Sequence, residues 1–136
     1  MIIESVQSEI KLSINDVFNF VQDLNNLIHL LPQDKVSNWE ATSQYCSFKI
    51  QGGIIIPLKL RETSFPNQII LDSGEKSPFP FVLTIHLHEL LPDTTNGKLV
   101  FDAKMGKTLQ FITEKPLRNL FNTMSERLKY HFDLEK

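Results

Sequence analysis

Three groups of residues in this chain are of types that could do chemistry. "HLHE", His86 to Glu89, carries the one metal-like spacing. Two positions apart on a strand, His86 and His88 project their rings from the same face, and with a carboxylate they would make part of a zinc site. Parity places that face toward solvent. The hairpin register read from the following loop sets Asp102 near His86, but nothing around the three creates a dry, shaped site, so no metal is expected. The second group is Glu62 and Glu89, which interrupt an otherwise apolar face. A lone carboxylate in an apolar interior is costly, so both are expected in water at the ends of a sheet. At a pocket mouth either could orient a polar ligand group or act as a general base. The third is Cys46, whose inward parity reads as a small buried hydrophobe rather than a nucleophile. His29 and His131 fall on helices with no acidic or nucleophilic partner evident in the sequence. There is no G-x-S-x-G, no glycine-rich phosphate loop and no H-E-x-x-H, and no cofactor is expected.

The elements that must position these residues follow from periodicity. Residues 2–12 alternate as a strand, with Val6, Ile10 and Leu12 on one side and Glu9 and Lys11 on the other. Ser13 and Asp16 make a capping-box-like start, and Ile14, Val17, Phe18, Val21, Leu24, Ile28 and Leu31 continue at helical spacing. Asn25-Asn26 is expected to divide this run into two short helices, and Pro32 ends the second. From residue 34 the period is two. "KVSNWEA", "YCSFKI", "IIIPLKLRET", "QIILDS", "FVLTIHLHELL" and "KLVFDAKM" read as six strands separated by turn residues at Thr42-Ser43, Gly52-Gly53, Pro66-Asn67, Ser77-Pro78 and Asp93 to Gly97. Short connections make this an antiparallel meander. The parity between Ile50 and Ile54 requires a three-residue turn, Gln51–Gly53, with a glycine at positive φ. A final helix begins near Pro116, a residue suited to a first turn, and carries Leu117, Leu120, Phe121, Met124, Leu128 and Phe132 as one apolar stripe. Residues 107–113 carry no assignable pattern.

Composition bounds the function. The chain has 136 residues, one domain's worth, and can bury roughly 70% of its unfolded surface. Fourteen basic residues against sixteen acidic give a net charge of −2. No basic run exceeds two residues, so neither nucleic-acid binding nor attraction to an anionic membrane has support from charge runs. One cysteine excludes an intrachain disulfide and fits a reducing, cytoplasmic location. "MIIESVQSEI" has no basic n-region, so no signal peptide is expected. No window approaches the roughly 18 apolar residues of a membrane span, so no stable membrane insertion is expected.

The element order of strand, two short helices, six-stranded meander and long C-terminal helix resembles that of the START-like, or SRPBCC, helix-grip superfamily. That superfamily includes steroidogenic lipid-transfer domains, polyketide cyclase/dehydratase-like proteins, pollen-allergen-like proteins and coenzyme-Q-binding proteins. "VFNFVQDLNNLIHLLP", with Asp23, Asn26 and Pro32, looks like the segment after the first strand in polyketide-cyclase-like members. "LRNLFNTMSERLKYHF" is similar to the last helix, with Phe132 as its closing phenylalanine. The resemblance implies an α+β fold over residues 1–136: a curved antiparallel sheet of about seven strands wrapped on the C-terminal helix. It implies an apolar cavity between them, lined by Phe48, Leu58, Leu60, Leu83, Ile85, Phe101, Leu120, Phe121, Met124 and Leu128, with Glu62 at the mouth. The expected partner is then a hydrophobic small molecule, lipid- or polyketide-like. Two alternatives stay open: a cyclase- or dehydratase-like enzyme using Glu62 or Glu89 as base, or a protein-interaction module whose interior is filled by the same side chains.

Overall fold

A computed structural model describes residues 1–134. Strands β1 (Ile2–Glu4) and β2 (Ser8–Ile10) lead to helix α1 (Ile14–Val21) and a 3-10 helix (Leu24–Leu30). Six strands follow, β3 (Ser37–Ala41), β4 (Tyr45–Ile50), β5 (Ile54–Ser64), β6 (Gln68–Asp72), β7 (Phe81–Leu91) and β8 (Thr94–Ala103), and then helix α2 (Lys107–Leu134). All pairings are antiparallel, in the order β1-β8-β7-β6-β5-β4-β3, with β2 also on β8. The expected α+β architecture is therefore present, with eight strands because the first is interrupted.

That interruption corrects the reading of residues 2–12 as one strand. β1 pairs Ile3 with Phe101 while β2 pairs Glu9 with Asn96, so one extra residue is accommodated between them. Buried positions are Ile3, Ser5, Ser8 and Ile10, whereas Val6 faces out. The break is where α2 is fastened. Val6 N–H donates to Asn122 Oδ1 at 2.9 Å, and Ser125 Oγ donates to the Val6 carbonyl at 2.6 Å. Ser8 Oγ donates to the Ser125 carbonyl at 2.6 Å. These bonds satisfy buried polar atoms that the apolar interface would otherwise strand.

Ser13 caps α1 by accepting from the Asp16 N–H. The helical run breaks at Gln22-Asp23, earlier than Asn25-Asn26. Asp23 caps the 3-10 helix through the Asn25 N–H, and Asn26 Nδ2 donates to the Phe20 carbonyl. Asp23 and Asn26 thus fold this corner of the chain. In the meander, Gln51–Gly53 is the required three-residue turn, with Gly52 at φ 88° and Gly53 at φ 77°. The β7–β8 turn is tighter than expected, since Thr94 already belongs to β8 and Gly97 lies mid-strand. A Cβ on Gly97 would sit 3.1 Å from Ile10 Cδ1 and 3.3 Å from Leu128 Cδ2, so glycine lets β2, β8 and α2 approach here.

The largest departure is α2. It begins at Lys107 rather than near Pro116, which lies in its interior. Pro116 has no N–H for the Ile112 carbonyl, and Thr113 Oγ1 turns back onto the Leu109 carbonyl at 2.9 Å. The first turns of α2 are therefore joined to the rest through a weakened hydrogen-bond ladder. Beyond Pro116 the expected stripe holds: Leu117, Leu120, Phe121, Met124, Leu128 and Phe132 are all buried. α2 packs on β1, β2, β8 and the 3-10 helix, and that helix closes the gap to β3 and β4.

Candidate functional site

The inward residues of the sheet and the stripe of α2 enclose one apolar interior. Phe48, Leu58, Leu83, Ile85, Phe101, Leu120, Phe121, Met124 and Leu128 are all buried in it, and Leu60 packs half-buried at its margin. Antiparallel register brings Leu83 opposite Phe101 and Leu58 opposite Cys46. Much of the space is taken by phenylalanine. Phe101 lies 4.8 Å, centroid to centroid, from Phe121 and 4.9 Å from Phe81, and Phe81 lies 5.9 Å from Phe79. At those separations the rings are in contact, linking the sheet to the helix through side chains.

Glu62 does not have the inward parity expected of it. β5 carries a bulge between Leu60, which pairs with Leu71, and Glu62, which pairs with Ile70. Ile70 belongs to the opposite face from Leu71, so the extra residue turns Glu62 outward. Glu89 keeps inward parity opposite Thr95 but lies beyond the core, and both glutamates are exposed. The two sit near the Ser64–Gln68 and Leu91–Thr94 turns, at the end of the sheet remote from Gln51–Gly53. His86 and His88 are exposed on the outer face as expected, but their cross-strand partners are Lys98 and Asn96, and Asp102 pairs with Val82. Among the described residues no three His, Cys, Asp or Glu side chains converge as a metal would require. Cys46 is fully buried, and burial alone pushes its thiol up to about 12. It stays protonated and unreactive at neutral pH. Unforeseen from the sequence, His131 stacks on Phe20 at 4.8 Å and on His29 at 5.1 Å, joining α2 to α1 and the 3-10 helix.

The interior approaches the surface in a groove beside α2. Pro32, Lys35 and Val36 form one wall, Ile50 and Gln51 the end, and Pro116, Asn119, Leu120 and Thr123 the other wall. The groove holds ≈ 40 Å³, enough for water but far below the roughly 300 Å³ at which ligand pockets begin. A more open hollow of ≈ 310 Å³ is lined by Gly53, Ile54, Ile55, Lys76, Pro78, Phe79 and Leu109. Both depressions lie at the end of the sheet where α2 begins, and Leu109 and Pro116, seven residues apart on one face of the helix, border one each. Of the residues picked from the sequence, only Leu120 borders the groove. Ile50 carries the inward parity of β4, and the others are positioned by the 3-10 exit, the glycine turn and Pro116, where apolar periodicity does not mark them.

That architecture can be compared with known structures. Similarity is strong to a protein from Thermus thermophilus (TM-score 0.75, 13% identity, 100% of this chain and 99% of the other). It is comparable for a START superfamily protein from Mycobacterium smegmatis (TM-score 0.72, 11% identity, 99% of each chain). The chain has the START-like helix-grip fold. Norcoclaurine synthase from Thalictrum flavum, solved with a transition-state analogue, is similar over 99% of this chain and 95% of its own (TM-score 0.73, 13% identity). No protein-family model matches the sequence, and no curated protein matches it. Among the described residues no helix is long and apolar enough to cross a membrane.

Proposed function

We propose that this START-like chain binds an apolar or aromatic small molecule between α2 and the sheet, admitted at the groove beside Pro116. The observation that carries the reading is the make-up of that groove. Val36, Ile50 and Leu120 give it an apolar floor, and Lys35, Gln51, Asn119 and Thr123 a polar rim, the mixture of a small-molecule site. The groove adjoins the interior through Leu120, which is buried and borders both. The groove's ≈ 40 Å³ is too small for a lipid- or polyketide-like body, so binding needs an open form in which the α2 wall moves at Pro116. Phe48, Leu58, Phe101, Phe121, Met124 and Leu128 then supply the apolar contact, worth roughly 25 cal/mol per Å² buried. Leu60, Leu83 and Ile85 complete that wall. Apparent affinity is reduced by the fraction of molecules that are open. Among the described residues no carboxylate, histidine or cysteine lines the groove, and the binding reading needs none. A titration with anilinonaphthalene sulfonate tests it. Wild type should bind one probe saturably, and Thr123→Phe, which fills the rim from a half-buried position, should abolish binding without loss of fold. Absence of saturable binding, or unchanged binding in the variant, would overturn it.

A further inference from the structure

The first turns of α2 carry two apolar side chains, Phe111 and Ile112, away from the core. Continued backwards, the buried stripe of Leu117, Leu120 and Phe121 passes through Thr113 and Leu109, which are buried and half-buried. Phe111, 89% exposed, lies on the opposite side of the helix, and Ile112, 59% exposed, lies about a quarter-turn round from the stripe. At a helical step of four residues, Lys107 and Lys115 flank Phe111 one turn on either side, and Lys104 stands just before the helix. All three lysines are exposed. Across residues 104–115 three lysines face one glutamate, Glu114, giving +2 in a chain whose net charge is −2.

We infer that this outward face of α2, Lys107–Phe111–Ile112–Lys115, docks on an anionic lipid surface. Phe111 shares a surface hollow with Lys107, Lys115, Gln110 and Glu114; an exposed phenylalanine and isoleucine flanked by an excess of lysine are the elements of interfacial binding, in which apolar side chains enter the headgroup boundary while lysine heads meet lipid phosphates. The charge pattern selects this occupant over a second copy of the chain, because an isologous contact would set the same lysines against one another. The absence of any basic run in the sequence does not weaken the case, since Lys107 and Lys115 are eight residues apart and share a face with Phe111 only when the segment is helical. The site faces the same end as the groove, so docking would bring the ligand opening toward the bilayer. Docking itself does not depend on any ligand being bound.

Co-sedimentation with vesicles tests the inference, using the full chain with phosphatidylcholine alone and with a phosphatidylcholine–phosphatidylglycerol mixture. Binding should appear on the mixed vesicles, be weak on neutral ones and fall as salt is raised. The Phe111→Ser/Ile112→Ser variant and the Lys107→Glu/Lys115→Glu variant should each lower partitioning roughly tenfold or more. Both alter exposed side chains, so their melting curves should match wild type. Leu90→Ser/Leu91→Ser, at exposed apolar residues in the distant β7–β8 turn, should bind as wild type does. Equal binding to neutral vesicles, no binding to either, or retention of binding in both α2 variants would overturn the proposal. So would a wild-type dimer that Phe111→Ser/Ile112→Ser dissolves. Probe binding without vesicles reports on the groove alone, and the outcomes for the two sites can be separated.

Discussion

Replacing Phe121 with alanine measures whether the space between sheet and helix is filled in the resting protein. Phe121 is buried, with its ring 4.8 Å from that of Phe101, which itself contacts Phe81. It does not border the groove, so water cannot follow the lost ring without a further opening. The expected cost is that of a sealed large-to-small change, about 3–5 kcal/mol, including roughly 0.5–1.5 kcal/mol for the aromatic pair. For a domain of this size each kcal/mol lowers the melting temperature by about 4 °C, so the transition should fall by roughly 12–20 °C. In urea the midpoint should drop with an unchanged slope, because the surface exposed on unfolding is nearly the same. The cavity left behind should be dry and take up a small aromatic such as benzene, which would raise the melting temperature of the variant alone. Leu120→Ala is the internal comparison. It enlarges the groove rather than creating a closed void, so it should cost nearer 2 kcal/mol, the low end for such a truncation, and strengthen probe binding. A loss below about 1 kcal/mol for Phe121→Ala would mean that the ring borders empty space already. The filled resting state argued from the phenylalanine contacts would then be wrong.

Other outcomes follow from single features. Gly97→Val should destabilise by about 1–3 kcal/mol in a denaturant melt, because its methyls meet Ile10 and Leu128 where even a Cβ is tight. Ser125→Ala should cost only about 1 kcal/mol, since Ser5 Oγ still donates to the Val6 carbonyl and Ser8 Oγ to the Ser125 carbonyl. Its effect should be non-additive with Ser8→Ala. Cys46 should resist a thiol reagent in the folded protein and react on unfolding. Its raised folded pKa favours the native state below the unfolded value of about 8.5, and this contribution is lost as pH climbs from there toward about 12. Pro116→Ala should restore the donor to the Ile112 carbonyl and stiffen α2, slowing probe association in stopped flow while raising the melting temperature.

Much of the fold was legible because the meander's apolar residues keep strict period two. Cys46, Phe48 and Ile50, then Phe81, Leu83, Ile85 and Leu87, face inward as parity required. Legibility failed wherever one residue was inserted into a strand. The extra residue between β1 and β2 turned Val6 outward, and the bulge at Leu60–Glu62 moved Glu62 to the outer face. A bulge leaves no mark in apolar periodicity beyond the register it changes, so Glu62's inward placement could not be checked against its neighbours. The distance of Asp102 from His86 failed for a related reason: the β7–β8 turn is shorter than its run of polar residues suggested, which shifts the pairing along the strand. The groove was illegible because its walls come from three separated connections, only one of which bears an apolar stripe.

The start of α2 shows why such a failure can be informative. Pro116 argued against a helix beginning before it, residues 107–113 carried no assignable pattern, and each observation was sound in itself. Proline does remove a hydrogen bond, and the segment does bury little. The helix forms nevertheless, continuous with a stripe that anchors everything beyond Leu117. A segment held in this way presents Phe111 and Ile112 to solvent without contributing them to the core. Local sequence and tertiary fold therefore disagree here, between the groove and the exposed face of α2. Such disagreements mark sites that serve something other than stability. Here the same segment forms the movable wall of the proposed ligand opening and the surface proposed to meet the lipid.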